Sequence, residues 1–285
     1  MPGSINISVV IVSYECLGPL KECLGSLLNQ GEISFEIIVV DNDSGDGTGE
    51  FLKSENIKSV LLYRNIGFGA AVNIGQLQAG GEYLFILNPD TVVPPGTLKS
   101  LYEFATATPG AGIVSPLIIW PDGTIQRSAR QFPSRYDFLF GRGSPLFKLG
   151  LTGERQAGYI VAFDSGATTV PAVSATAAFI ETALFRSLGC FDERYFLYLE
   201  DLDLCRRVAA SGKDIWMLPE IKVAHAWRQS SGSRPYFASY HHHLSVYKYF
   251  RKFYPRQYAR NFLLAIALTI GFIMNSILLI FGRRS

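Results

Sequence analysis

A chain of 285 residues that is 48% hydrophobic and 18% charged is long enough for one large domain with an appendage, and too apolar for disorder. A formal net charge of +2, with no basic concentration over the first two thirds, gives no basis for nucleic-acid binding. Cys16, Cys23, Cys190 and Cys205 form no CxxC pair and no regular spacing, so they suggest neither a zinc site nor a disulfide framework and fit a reducing compartment.

The chain begins with Met1-Pro2-Gly3-Ser4 and runs straight into the apolar residues 5–12. With no basic n-region and no cleavage-like ending, that start reads as a strand and not as a secretion signal. Short apolar runs then alternate with helical patterns: 7–13 with 20–28, 35–40 with 49–53, 60–63 with 70–77, and 83–87 with 97–105. Nearly continuous apolar strands alternating with helices predict an α/β fold whose mostly parallel sheet is covered on both faces. Ligands of such sheets bind beyond the carboxyl ends of the strands. Polar residues gather at those ends: Ser13-Tyr14, Asp41-Asn42-Asp43-Ser44, Arg64-Asn65 and Asn88-Pro89-Asp90. Each cluster alone fits turn chemistry; four on one edge are harder to dismiss.

Gly67-Phe68-Gly69 opens like a dinucleotide fingerprint. It follows the third strand, however, and Val72 occupies the third glycine position, so a nicotinamide site is excluded. No GxxxxGK[ST] occurs, which excludes a P-loop nucleotidase. Residues 111–180 are rich in proline and glycine and carry Gln126-Arg127-Ser128-Ala129-Arg130-Gln131; they read as a loop-rich insertion over the sheet edge, ending in a strand near 173–180.

Residues 190–207 hold five carboxylates and three arginines. Leu199, Leu202, Cys205, Val208 and Ala209 recur at helical spacing, and Gly212 supplies a stop. Glu200 and Asp201 then fall in a first helical turn, where acidic residues complement the exposed amides and the dipole whether or not they act chemically. Asp203 is expected to pair with Arg206 or Arg207 one turn on. Beyond a strand at 214–219, an aromatic and basic helix over 236–254 leads to residues 262–281, twenty residues without a charge, long enough to span a bilayer or insert deeply. The run of Lys248, Arg251, Lys252, Arg256 and Arg260 upstream, against Arg283 and Arg284 downstream, favours a globular side facing the cytoplasm. The expected organisation is a catalytic domain over 1–235, a juxtamembrane helix over 236–260, and a membrane-anchoring helix with a basic tail over 261–285.

Taken in order, VVDNDS, RNIGFGAAVNIG, LNPDTVVPP, GCFDERYFLYLEDLDLCRR and VAHAWRQSSG closely resemble the inverting glycosyltransferases of family 2, with the GT-A fold, over roughly residues 5–232. The NPD form, the FDERYFLYLEDLDLCRR run and the histidine before QSSG look most like bacterial rhamnosyltransferases. The resemblance implies a divalent cation, Mg2+ or Mn2+, held by Asp90 and His225, with Asn88 standing where the family's metal motif begins with aspartate. It implies Asp201 as the base that deprotonates the acceptor, with Glu200 orienting the acceptor or the base. Asp41 matches the residue that accepts a hydrogen bond from the pyrimidine. Ser13 and Tyr14 fall at the base and ribose, and Asn42, Asn65, Gly67, Asn73, Asn88 and Asp90 at the nucleotide and sugar; Glu15 stands where the family often has asparagine. Arg127, Arg130 and Trp227 are the acceptor candidates, although a solvated loop accounts for the two arginines equally well.

The donor so implied is dTDP-L-rhamnose, with UDP-galactofuranose, UDP-glucose or UDP-N-acetylglucosamine as alternatives. The acceptor is a saccharide, free or on polyprenyl diphosphate, in cell-surface polysaccharide synthesis at the inner face of the cytoplasmic membrane. A processive synthase is disfavoured, since one spanning segment is present and no QxxRW run occurs. A catalytically silent scaffold remains the rival of a different class. The apolar tail can pair with a second copy as well as anchor.

Overall fold

The computed structural model describes residues 5–141, 144–152, 159–160, 166–226 and 235–281. Its first half is the alternation expected: β1 (Ile7–Ser13), α1 (Leu17–Ser26), β2 (Phe35–Asp41), α2 (Thr48–Ser54), β3 (Ser59–Leu61), α3 (Phe68–Leu77), β4 (Tyr83–Leu87), β5 (Thr91–Val92) and α4 (Thr97–Ala107). There follow β6 (Ala111–Ile119), β7 (Ala129–Arg130), α5 (Arg135–Phe140), α6 (Pro145–Lys148), β8 (Tyr159–Ile160), β9 (Thr168–Thr169), β10 (Ala172–Val173), β11 (Ala177–Glu181) and α7 (Thr182–Ser187). The chain continues with α8 (Glu200–Ala210), β12 (Asp214–His225), α9 (Pro235–Phe253) and α10 (Tyr258–Phe281).

The main sheet has the order β3-β2-β1-β4-β11-β6-β12-β5, with β9 also on β12. β1 pairs in parallel with β2 and β4, and β2 with β3. β11 is antiparallel to both β4 and β6, so β6 and its parallel partner β12 point the same way as β1. Ser13, Asp41, Leu87, Ile119 and His225 therefore end their strands at one edge. All seven residues of β1 are buried, as the central strand of a doubly covered sheet requires.

Alternate residues feed two cores. Ile7, Val9 and Ile11 face α1 and α4, whereas Val10 and Val12 face a core that includes Val72, Leu202, Tyr249 and Leu264. That second core does not stop at residue 235: α9 contributes Val246, Tyr249 and Phe250, and α10 contributes Leu264 and Leu268. The basic aromatic helix is thus built into the catalytic body.

Two elements differ from the sequence expectation. The nine-residue β6 lies inside the stretch read as irregular, because Pro116 looks like a break. The strand expected over 214–219 runs on to His225. Both have one cause: the pairing of β6 with β12 shifts register between Leu218 and Lys222, opposite Pro116, and the bulge accommodates both Pro116 and Pro219 before pairing resumes. The bulge carries β12 far enough to place His225 at the ligand edge.

Candidate active site

At the edge expected to take the donor, the loops after β1 and β2 are tied together. The Leu17 amide donates to Asp46 Oδ2 at 2.8 Å, the Gly45 amide to Glu15 Oε1 at 2.9 Å, and the Glu15 amide to Ser44 Oγ at 3.0 Å. Glu15 thus closes this edge. Asp41 is buried at the end of β2 and accepts from the Ser44 amide at 3.1 Å; burial lifts its carboxyl above the ordinary value, partly offset by that bond. Ser13 Oγ is buried with no hydrogen-bond partner.

The asparagines of this edge brace loops. Asn42 donates to Asn65 Oδ1 at 3.1 Å and accepts from the Ile66 amide at 3.0 Å; Asn65 Oδ1 also takes the Gly67 amide at 3.0 Å. Asn73 exchanges two 2.9 Å bonds with the Phe191 backbone and reaches Glu193. The glycine pair that imitates a dinucleotide fingerprint allows backbone contact instead. Gly67 has φ +90, and a Cβ there would strike the Phe196 carbonyl; a Cβ at Gly69 would meet Phe191 at 3.0 Å. The start of α3 thereby lies directly against the 191–200 loop, with the Phe68 amide donating to Phe196 O at 3.1 Å.

Asp90 and His225 meet. His225 Nε2 lies 3.1 Å from Asp90 Oδ1 and 3.4 Å from Asn88 Nδ2, and both side chains are over nine-tenths buried. Gln126 determines which imidazole nitrogen carries hydrogen. Its Nε2 donates to the His225 carbonyl at 2.6 Å, so its Oε1, 3.0 Å from His225 Nδ1, must accept from Nδ1–H. In the neutral ring the Nε2 lone pair then faces a carboxylate oxygen, an arrangement that a cation between them relieves. Carboxylate oxygen plus imidazole nitrogen suits Mg2+ or Mn2+, with Gln126 orienting the histidine as outer groups do at metal sites. Among the described residues no group of three or more His, Cys, Asp or Glu converges as a metal site, so a diphosphate and water would complete the shell. Gln126 had no local sequence signal, for its role depends on contact with a residue 99 positions away.

The acidic run forms the other wall. Tyr198 and Leu199 both have φ +68, an uncommon conformation for two successive non-glycine residues, and α8 starts at the next residue. Asp201 Oδ1 accepts the Leu202 amide at 2.7 Å, and Arg130 Nη2 sits 3.2 Å from both carboxylate oxygens. Glu200 is buried with Oε2 unpartnered; desolvation, then the charge of Asp201, push its carboxyl well above the ordinary range, against the pull of Arg130. A strongly perturbed carboxyl beside a second carboxylate is characteristic of functional sites.

The other carboxylates are structural. Asp203, fully buried, pairs with Arg207 at 2.7 Å and Lys252 at 2.5 Å. Asp192 is opposed by burial, yet hydrogen bonds from Arg194 and Lys252 hold it far below the usual carboxylate range. Arg206, the other expected partner of Asp203, instead donates to Tyr254 Oη at 2.6 Å and lies over Phe132 and Phe253.

One short segment joins the two walls. Gln126 grips His225 and Arg130 grips Asp201, and the four residue steps from one to the other span at most about 14 Å of chain. Arg127, between them, is exposed. Trp227 lies outside the described residues.

The family model described as Glycosyl transferase family 2 matches residues 8–168. The N-acetylglucosaminyl-diphospho-decaprenol L-rhamnosyltransferase of Mycobacterium tuberculosis is 32% identical over 259 residues, covering 85% of this chain and 82% of that protein. Among solved structures, the mannosyltransferase PcManGT of Pyrobaculum calidifontis in complex with GDP-Man and Mn2+ aligns at TM-score 0.59 and 18% identity, covering 95% of this chain and 74% of that one. GalNAc-T7 with UDP, GalNAc and Mn2+ aligns at TM-score 0.59 and 19% identity over 81% of this chain, which spans 45% of that enzyme's. The fold is therefore GT-A, and the chain belongs to glycosyltransferase family 2.

Proposed function

We propose that this glycosyltransferase moves L-rhamnose from dTDP-L-rhamnose, with inversion, onto a saccharide carried on polyprenyl diphosphate. The supporting observation is the 126–130 segment, which ties a cation-ready Asp90–His225 pair to the Asp201 carboxylate in one site. Asp90 and His225 would hold Mg2+ or Mn2+, whose charge would stabilise the departing diphosphate. Asp41, with Ser13 and Tyr14, receives the pyrimidine nucleoside. Asn42 and Asn65 keep the donor loop in shape, Asn73 holds the Phe191 backbone of the acidic run, and Asn88 helps orient His225. The acceptor hydroxyl attacks the anomeric carbon from the face opposite the diphosphate. Its proton passes to Asp201, and the breaking C–O bond leaves its electron pair on the diphosphate oxygen.

The Leu202 amide and Arg130 hold the Asp201 carboxylate in place, and Glu200, whose carboxyl burial pushes well above the ordinary range, favours its protonated form beside it. The rhamnosyl donor and the lipid-linked acceptor come from the 32% identical relative, whose name specifies both an L-rhamnosyl group and a diphospho-decaprenol acceptor. The basic aromatic hairpin and the apolar α10 agree with such an acceptor and with a site at the cytoplasmic membrane. A panel of sugar nucleotides with Mg2+ or Mn2+, read as hydrolysis or transfer, tests this directly. Preferred turnover of dTDP-L-rhamnose is expected; preferred turnover of a UDP-sugar would reassign the donor, and no turnover of any donor would favour the silent scaffold.

A further inference from the structure

By length and composition α10 can cross a membrane: residues 258–278 have a mean hydropathy of 2.0. Its packing points to a different disposition. Asn261, Leu264, Leu268 and Asn275 recur on one face and are buried, while Phe262, Leu263, Ile266, Ile270, Ile273 and Ile277 are exposed on the other. The buried face is covered along most of the helix. Asn261 takes a 2.8 Å bond from Arg135 of α5 and donates at 2.9 Å to the Tyr254 carbonyl, and Phe272 lies 5.9 Å from the rings of both Tyr240 and His243 on α9. A perpendicular crossing would carry that half of α9, with His241, His242 and His243, into hydrocarbon or strip α10 from its partners.

Charge marks the same side of the molecule. Residues 221–285 contain ten Lys and Arg and no Asp or Glu, although the chain as a whole is almost neutral. Of these, Arg251, Arg256 and Arg260 are exposed around the α9–α10 turn. Exposed Tyr136 on α5 and Leu149 and Leu151 after α6 add apolar surface beside α10, since both short helices pack on it. An apolar stripe with an arginine collar fits the head-group and acyl boundary of an anionic leaflet.

We propose that α10 lies in the plane of one leaflet, its Phe262-to-Ile277 stripe in lipid and its other face on the domain, so that both ends of the helix stay on the catalytic domain's side of the membrane. This goes beyond the proposed reaction and does not depend on the donor. It also places α5 and α6, which follow Arg130 in the chain, at head-group depth, where a diphosphate on a lipid arrives.

The test uses the full chain in bacterial membranes, in a Cys190→Ser background, with a cysteine appended after Ser285 and, separately, Glu103→Cys on α4 as a reference. A membrane-impermeant maleimide should label both in inside-out vesicles and neither in intact spheroplasts. Labelling of the appended cysteine in spheroplasts would overturn the proposal. In a second arm, the Ile270→Glu/Ile273→Glu variant should bind phosphatidylglycerol vesicles at least about tenfold more weakly, with unchanged circular dichroism and oligomeric state. Undiminished vesicle binding, or loss of a dimer with vesicle binding retained, would assign the stripe to a second copy of the chain and overturn it. Because both arms read topology and binding, they can fail while rhamnosyl transfer stands, and the reverse.

Discussion

The two walls of the site are built on different principles. The first wall stands on β1, β2 and β4, neighbouring parallel strands whose following loops are tied to one another, as in the Glu15–Ser44 and Asn42–Asn65 bonds. The acceptor wall, residues 190–207, takes its shape from distant elements: Arg130 from the insertion, Asn73 from α3, and Ser245, Lys248 and Lys252 from α9. Polar strand ends are tied by neighbouring loops, whereas a buried acidic run needs cations brought from elsewhere in the chain.

Breaking the acceptor wall at its chemical centre should have the largest effect. Asp201→Asn is expected to lower transfer by about 10²- to 10⁴-fold while leaving donor affinity and the melting temperature near wild type, measured by steady-state kinetics and calorimetry. Lys252→Met leaves Asp192 with Arg194 and the buried Asp203 with Arg207 as its one remaining cation beside the Tyr195 hydroxyl, and should cost about 3 kcal/mol in denaturant unfolding. Lys58→Met removes an ion pair with Glu36 that is half exposed at the lysine and lies at the opposite end of β2; an equal loss there would show that burial is not what makes the Lys252 change costly.

On the donor side, Gln126→Leu frees the His225 ring and should weaken Mn2+ activation by about 10- to 100-fold with little change in fold, read from a metal titration of activity. Gly67→Ala tests the seam between the walls. With φ +90 and the Phe196 carbonyl in the way, it should cost about 1–3 kcal/mol and lower turnover too, since the displaced loop leads into Asp201, the proposed base.

The smallest effect is the pH dependence of Glu200. Its folded value is raised, so its contribution is fully present below its ordinary value of 4.5 and is lost as pH rises through the folded value. Glu200→Gln should flatten that alkaline decline in melting temperature; an unchanged slope would show that Glu200 is already ionised in the folded protein.

The same contrast explains what could be read from the sequence. The α/β alternation, the four polar strand ends and the helix start at Glu200 follow from local periodicity, and the structure has them where expected. β6 and the second half of β12 were hidden because the proline- and glycine-rich 111–180 reads as irregular and the strand from 214 is expected to stop at 219; only their mutual pairing shows that Pro116 and Pro219 share a bulge. Asp90 and His225 stood out through the family resemblance. Gln126, which sets the histidine's tautomer, did not, because its partner is reached only by the three-dimensional path of the insertion. Twenty uncharged residues suggested a bilayer crossing; the buried Asn261, Leu264, Leu268 and Asn275 reveal a face committed to the protein, a distinction that composition does not carry.

The most direct measurement is the anomeric configuration of the product, read from carbon–proton coupling by NMR after transfer from a β-configured dTDP-L-rhamnose donor. A single displacement with Asp201 as base gives an α-L-rhamnoside. A β-linked product, or a glycosylated enzyme trapped and detected by mass spectrometry, would contradict it.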